Sequence, residues 1–122
     1  MNRGGARIGL GRRGEELAVQ ELVGRGYTIV DRNWRCRIGE VDIVACLSEV
    51  LTFFEVRTRR GDRFGLPEES LTPTKRQRMI DVALTYLAEC DLGDVDWRVG
   101  FIAVEMDWAG RLLRLDVYAA IE

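Results

Sequence analysis

Residues 39–58 read GEVDIVACLSEVLTFFEVRT. Two apolar runs, GEVDIVA (39–45) and LTFFEVRT (51–58), flank a connection at 46–50. β-branched and aromatic residues crowd both runs, the composition of strands packed on a core. Successive strand side chains alternate between faces. Val41, Ile43 and Ala45 are therefore expected on one face, and Glu40, Asp42 and Val44 on the other. The connection is short enough for a hairpin, although it holds no Asn-Gly or Asp-Gly pair. Inside the apolar runs sit two carboxylates, Asp42 and Glu55. A partly desolvated carboxylate is costly unless something compensates it. Neighbouring strands of one hairpin can bring the two side by side, and a divalent cation is a natural compensator. Mg²⁺ takes oxygen ligands and is usually held by one or two carboxylates, with water and phosphate completing its shell. Glu55 and Arg57 share a strand face, so a permanent positive charge adjoins the pair, suited to a scissile phosphate. Arginine keeps its proton near neutral pH, so a base role passes to water activated by the metal. The plain alternative is an ion-pair cluster in which Arg57 or another arginine neutralises both carboxylates on strands with one wet face. Glu40 is a weaker candidate ligand, lying near the strand start behind Gly39.

Working outward, residues 12–25 carry helical spacing, with Ala18 and Leu22 four apart and Gly26 at the C′ position. In that helix Glu15 borders the buried face and is expected to look into a site, whereas Glu16, about 100° away, turns to solvent. Residues 27–35 read as a first strand in which Asn33 marks a bend. Downstream, 59–71 is a Gly- and charge-rich loop. Thr72 and Pro73 then give an N-cap and first-turn signature for a helix ending near Cys90. Strands are expected over 97–105 and 112–118. The order α-β-β-β-α-β-β predicts an α/β (mixed α+β) domain, a mixed central sheet flanked by helices. A basic tail at 1–10 is expected to precede a single domain at 11–122.

The chain has 122 residues, 47% hydrophobic and 31% charged, which suits one domain with one core. It contains no histidine, which excludes Ser-His-Asp triads and His-ligated zinc. Cys36, Cys46 and Cys90 form no CxxC pair and read as reduced thiols of a cytoplasmic protein. No apolar run approaches the length of a membrane span, so no membrane is expected, and the Gly- and Arg-rich N-terminus lacks the apolar stretch of a secretory signal. Net charge is −2, but residues 1–80 hold 15 basic and 11 acidic side chains against 3 and 9 in residues 81–122. Clusters such as Arg57, Arg59, Arg60 and Arg63, and Lys75, Arg76 and Arg78, can form a local phosphate-binding face. Arg59, Arg60 and Arg63 are expected to grip a nucleic-acid backbone from the loop behind the acidic strand. Lys75 is the only lysine among 18 basic residues.

Five blocks now combine: GRRGEELAVQEL (11–22), GYTIVDRNWR (26–35), GEVDIVA (39–45), FFEVRTRRGDRFG (53–65) and TPTKRQRMIDVALTYL (72–87). In this order they resemble the YraN-like bacterial proteins, uncharacterised protein family 0102. That family is similar to the archaeal Holliday-junction resolvases and the PD-(D/E)XK superfamily. The resemblance spans residues 12–104 and implies a restriction-endonuclease-like αβββαβ core. It implies roles for matching residues. Asp42 matches the metal-binding Asp of the second core strand, Glu55 the acidic residue of the (D/E)XK half-motif, and Glu15 the first-helix Glu of the resolvases. Arg57 stands where the superfamily has Lys, a departure that keeps charge but loses the tunable ammonium. Lys75 matches a Lys of the YraN-like pattern and is a candidate replacement or a phosphate ligand. Gly100 stands where the family pattern commonly has Asp. The implied activity is metal-dependent endonucleolytic hydrolysis of DNA phosphodiester bonds, on branched or processed DNA, with Mg²⁺ or Mn²⁺ as cofactor. The alternative is a weakly active or inactive nucleic-acid-binding module on the same fold. DNA is the expected partner under both, a homodimer is admitted, and an adaptor role through the acidic C-terminal third is a third reading.

Overall fold

A computed structural model describes residues 9–61 and 65–122. The chain runs α1 (Gly9–Gly24), β1 (Thr28–Arg35), β2 (Glu40–Leu47), β3 (Val50–Arg60), a short 3-10 turn (Pro67–Ser70), α2 (Pro73–Glu89), β4 (Asp96–Met106) and β5 (Leu112–Tyr118). The five strands form one mixed sheet in sequence order. β1–β2, β2–β3 and β4–β5 pair antiparallel, and β3–β4 pairs parallel through the α2 crossover. This is the expected mixed α+β architecture, with one helix on each face of the sheet.

Each helix earns its place through its apolar stripe. Ala18 and Leu22 of α1 pack on Ile43, Phe54 and Ile102. Met79, Val82 and Tyr86 of α2 pack on Val44, Phe53 and Val99 across the sheet. The end of α1 is a Schellman turn: the Tyr27 N–H donates to Leu22 O and the Gly26 N–H to Val23 O, with Gly26 at φ 99. Thr72 caps α2 by accepting from the Lys75 N–H at 3.1 Å, and Pro73 opens the helix. α1 lies very close to β3 at Gly14, where an added Cβ would stand 1.9 Å from Thr58 Oγ1. That contact brings the start of α1, and Glu15 with it, over the far end of β3.

The structure departs from the sequence reading at the start of α1, at the end of β3 and in the alternation of β2. α1 begins at Gly9, so Gly9 and Leu10 belong to the helix rather than the tail, and residues 1–8 lie outside the described set. β3 continues to Arg60, because its parallel ladder with β4 extends to the Arg60–Met106 pair. Arg59 and Arg60 are therefore strand residues, not loop residues, and Arg63 is outside the described residues. The alternation expected at 41, 43 and 45 fails at Val41, which packs on the α2 side while Ile43 and Ala45 face α1. Gly100 backs onto Phe54, and a Cβ there would lie 2.7 Å from both Phe54 Cε1 and the Tyr118 carbonyl. No side chain fits at this position without a shift of the core. Among the described residues no helix is long and apolar enough to cross a membrane, and all three cysteines are free.

Candidate functional site

β2 and β3 stay paired only from the Leu47–Val50 end to Ile43–Phe54. Beyond that point they fork, because β3 follows β4 while β2 stays with β1. Asp42 sits in the fork. Its Oδ2 accepts the Val56 N–H at 2.7 Å, taking a donor that a longer β2–β3 ladder would have used. Burial pushes the Asp42 carboxyl up to about 7. The Val56 bond opposes this, and the nearby carboxylates of Glu55, Glu15 and Glu40 reinforce it. Asp42 makes no ion pair among the described residues.

Glu55 is the best-neutralised acid of the group. Its side chain is 13% exposed, and its Oε2 lies 2.8 Å from Lys75 Nζ and 3.8 Å from Arg57 Nη2. Lys75 comes from the first turn of α2, 20 residues along the chain, so a helix supplies the ammonium that the strand position of Arg57 lacks. The Arg57 Nε donates to Ser70 Oγ at 3.3 Å, and that hydroxyl donates to the Pro67 carbonyl at 2.9 Å. Glu68 in the same turn accepts both Arg114 Nη atoms, at 2.7 and 3.0 Å, and the Tyr118 hydroxyl at 2.7 Å. Arg114 binds Asp116 and Glu105 as well. The Arg114 hydrogen bonds hold the Glu68 carboxyl down at about 2. β5 thereby pins the turn that props Arg57.

Glu15 reaches the cleft from α1, as expected. Burial raises its pKa; the Asn33 amide and the Arg32 guanidinium beside it oppose the rise. Glu16 is exposed and pairs with Arg32 at 2.9 Å. Asp42, Glu55, Arg57, Glu15 and Lys75 thus line one open cleft of about 370 Å³, joined by Arg78. A second hollow continues past Asp42 and Glu15 toward Arg12, Arg32, Asn33 and Arg35. Arg59, Arg60 and Arg76, all expected at a nucleic-acid face, do not line the cleft. Arg78 comes from the basic cluster at 75–78, whereas no motif in the sequence marks Ser70 or Asn33 as a site residue. For Asn33 the bend in the strand was the available signal.

The acids present suit a hard divalent ion. Among the described residues no three acidic or thiol groups converge to enclose one. The donors are instead a pair, Asp42 and Glu55, which suits Mg²⁺ or Mn²⁺ with water and phosphate oxygens completing the shell. Asp42, desolvated and facing other carboxylates, has no cation beside it among the described residues, and an ion bound there would favour its charged form.

Comparison with known proteins covers the same region. The sequence profile of a family described as uncharacterised protein family UPF0102 matches residues 14–119, which include all five of these cleft residues. A UPF0102 protein of Acidothermus cellulolyticus is 47% identical over 120 residues, covering 96% of this chain and 91% of the relative. One from Nocardia farcinica is 52% identical over 90 residues, 70% of this chain and 71% of the relative. One from Pelotomaculum thermopropionicum is 43% identical over 111 residues, 91% and 92% of the two chains.

Proposed function

The chain belongs to uncharacterised protein family UPF0102, a membership that names no activity; from the cleft, together with the resemblance to the Holliday-junction resolvases, we propose a divalent-metal-dependent endonuclease that hydrolyses DNA phosphodiester bonds, with branched or processed DNA as substrate. The observation that carries this reading is a desolvated Asp42, with no cationic partner among the described residues, beside the Glu55–Lys75 pair in a cleft rimmed by arginines. Asp42 and Glu55 would hold Mg²⁺ or Mn²⁺. When bound, the ion supplies Lewis-acid charge to the phosphate and makes hydroxide available near neutral pH. Lys75 offers a compact ammonium, which orients a nucleophile or stabilises charge developing on phosphate. Arg57, held by Ser70, contributes a fixed planar donor to a phosphate oxygen. Glu15 borders the same cleft and would assist the metal, directly or through water.

The test is cleavage of single-stranded, duplex, flap and four-way-junction DNA with Mg²⁺ or Mn²⁺. Wild type is expected to cut. Asp42→Ala and Glu55→Ala are expected to lose at least about 10³-fold, and Lys75→Met about 10²-fold, the usual scale for removing charge stabilisation. Arg57→Lys is expected to keep activity.

One observation favours a second reading. Glu55 already has two cationic partners, as a purely structural ion pair would. A binding module without catalysis would then be left, resting on the arginines. Absence of cleavage by wild type, with DNA binding retained in Asp42→Ala and Glu55→Ala, would select it.

A further inference from the structure

Asn33 is the one non-glycine residue inside a described strand with positive φ, at 54°. The flanking pairs are Arg32–Ile43 and Trp34–Val41, so Asn33 stands opposite Asp42, and these two residues are missing from the ladder. Both strands turn over at this position. Arg32 and Trp34 are two apart and would share a face in a regular strand. Arg32 instead reaches Glu16 on α1 at 2.9 Å, while Trp34 stacks edge-on against Tyr86 of α2 at 5.1 Å. On β2, Ile43 joins the α1 cluster and Val41 the α2 cluster. A flip matched on both strands has one local cause, the left-handed residue between them.

We propose that Asn33 is a positioning residue of the cleft: its left-handed backbone opposite Asp42 turns both strands over and releases the Asp42 side chain to take the Val56 N–H, while its amide lies beside Glu15. Asparagine is, after glycine, among the residues that adopt this region most readily, and β-branched residues adopt it least. The side chain lines the hollow beyond Asp42, which Glu15 also lines. Asn33 thus sets the geometry of Asp42 from the strand opposite it and stands next to Glu15 in the same hollow. The catalytic meaning of this role rests on the nuclease reading, but the geometric claim does not.

Amide hydrogen exchange on the full chain tests it. The Val56 N–H is the reporter, since its acceptor is the Asp42 carboxylate. In Asn33→Val its exchange is expected to accelerate about ten-fold or more relative to the core amides of Phe53 and Ile102. In Asn33→Gly, which permits positive φ, it is expected to stay within about three-fold of wild type. If Asn33→Val does not fold, Asn33→Ala carries the same comparison. Unchanged Val56 protection in the Val or Ala variant overturns the proposal. So does a loss matched by Phe53 and Ile102, which marks a general loosening, or a loss of protection in Asn33→Gly. Cleavage is read separately: in an active enzyme Asn33→Val is expected to lower kcat about ten-fold with KM little changed. Selective Val56 release in a protein whose wild type never cuts would uphold the positioning role and sink the nuclease.

Discussion

Asp42 is where structure and chemistry conflict most directly. Its carboxyl is pushed to about 7 by burial, so the fold favours the protonated form. For a carboxyl raised in this way, stability is fully present below its ordinary value near 4 and is lost as pH rises through about 7. Asp42→Asn keeps an acceptor for the Val56 N–H and removes the charge. In metal-free buffer at pH 8 it is expected to be more stable than wild type by roughly 2–4 kcal/mol, and equal to it near pH 4. Urea unfolding at both pH values, with chelator present, measures this; equal stability at pH 8 would mean that the carboxylate is well solvated. Mg²⁺ is expected to stabilise wild type at pH 8 and leave the variant unmoved. The sequence exposed this residue because a lone acid in VDIVA stands out. It could not expose the Lys75 partnership, since no spacing rule links a strand residue to a helix residue 20 positions on. Nor could it reveal the role of Asn33, because alternation assumes an unbroken ladder.

Among the elements, both helices and all five strands were legible, with ends displaced by three residues at most. Periodicity and capping signals are local, so they survive without tertiary information. The 3-10 turn at Pro67–Ser70 was not legible, because its conformation is imposed from outside by Arg114 and Tyr118 of β5. The β2–β3 hairpin shows what a missing signal costs. Its two connecting residues, Ser48 and Glu49, have φ of 51° and 69°, the left-handed pair of a type I′ turn. Neither residue favours that region. Replacing them together by Asn-Gly is expected to stabilise the protein by about 1 kcal/mol, as the unfolded chain and the turn then agree. Thermal unfolding checks this, and a destabilised double variant would mean that Ser48 or Glu49 makes a contact stronger than its backbone cost.

For the whole molecule, a net charge of −2 hides a cleft rimmed by Arg12, Arg32, Arg35 and Arg78. If DNA is the ligand, affinity falls steeply with salt. Replacing Arg12, Arg35 or Arg78 by Gln is expected to reduce the log–log slope by about one each on duplex DNA. A slope indifferent to all three would count against nucleic acid as the partner. The parallel β3–β4 ladder carries one more consequence, which concerns time rather than energy. Val50 pairs with Asp96 and Arg60 with Met106, 46 residues apart at every rung. The β1–β2–β3 meander closes through short turns, and closing a short loop costs less chain entropy than closing a long one. The strands that carry Asn33, Asp42 and Glu55 are therefore expected to assemble before β4 arrives to seal the sheet. Stopped-flow folding of Ile102→Val, a loss of about 1 kcal/mol, is expected to change the unfolding rate and spare the folding rate. A slowed folding rate would place the crossover in the nucleus. With a late crossover, the meander forms while β2 and β3 are still free to pair, and docking of β4 along β3 is what opens the fork that holds the acids.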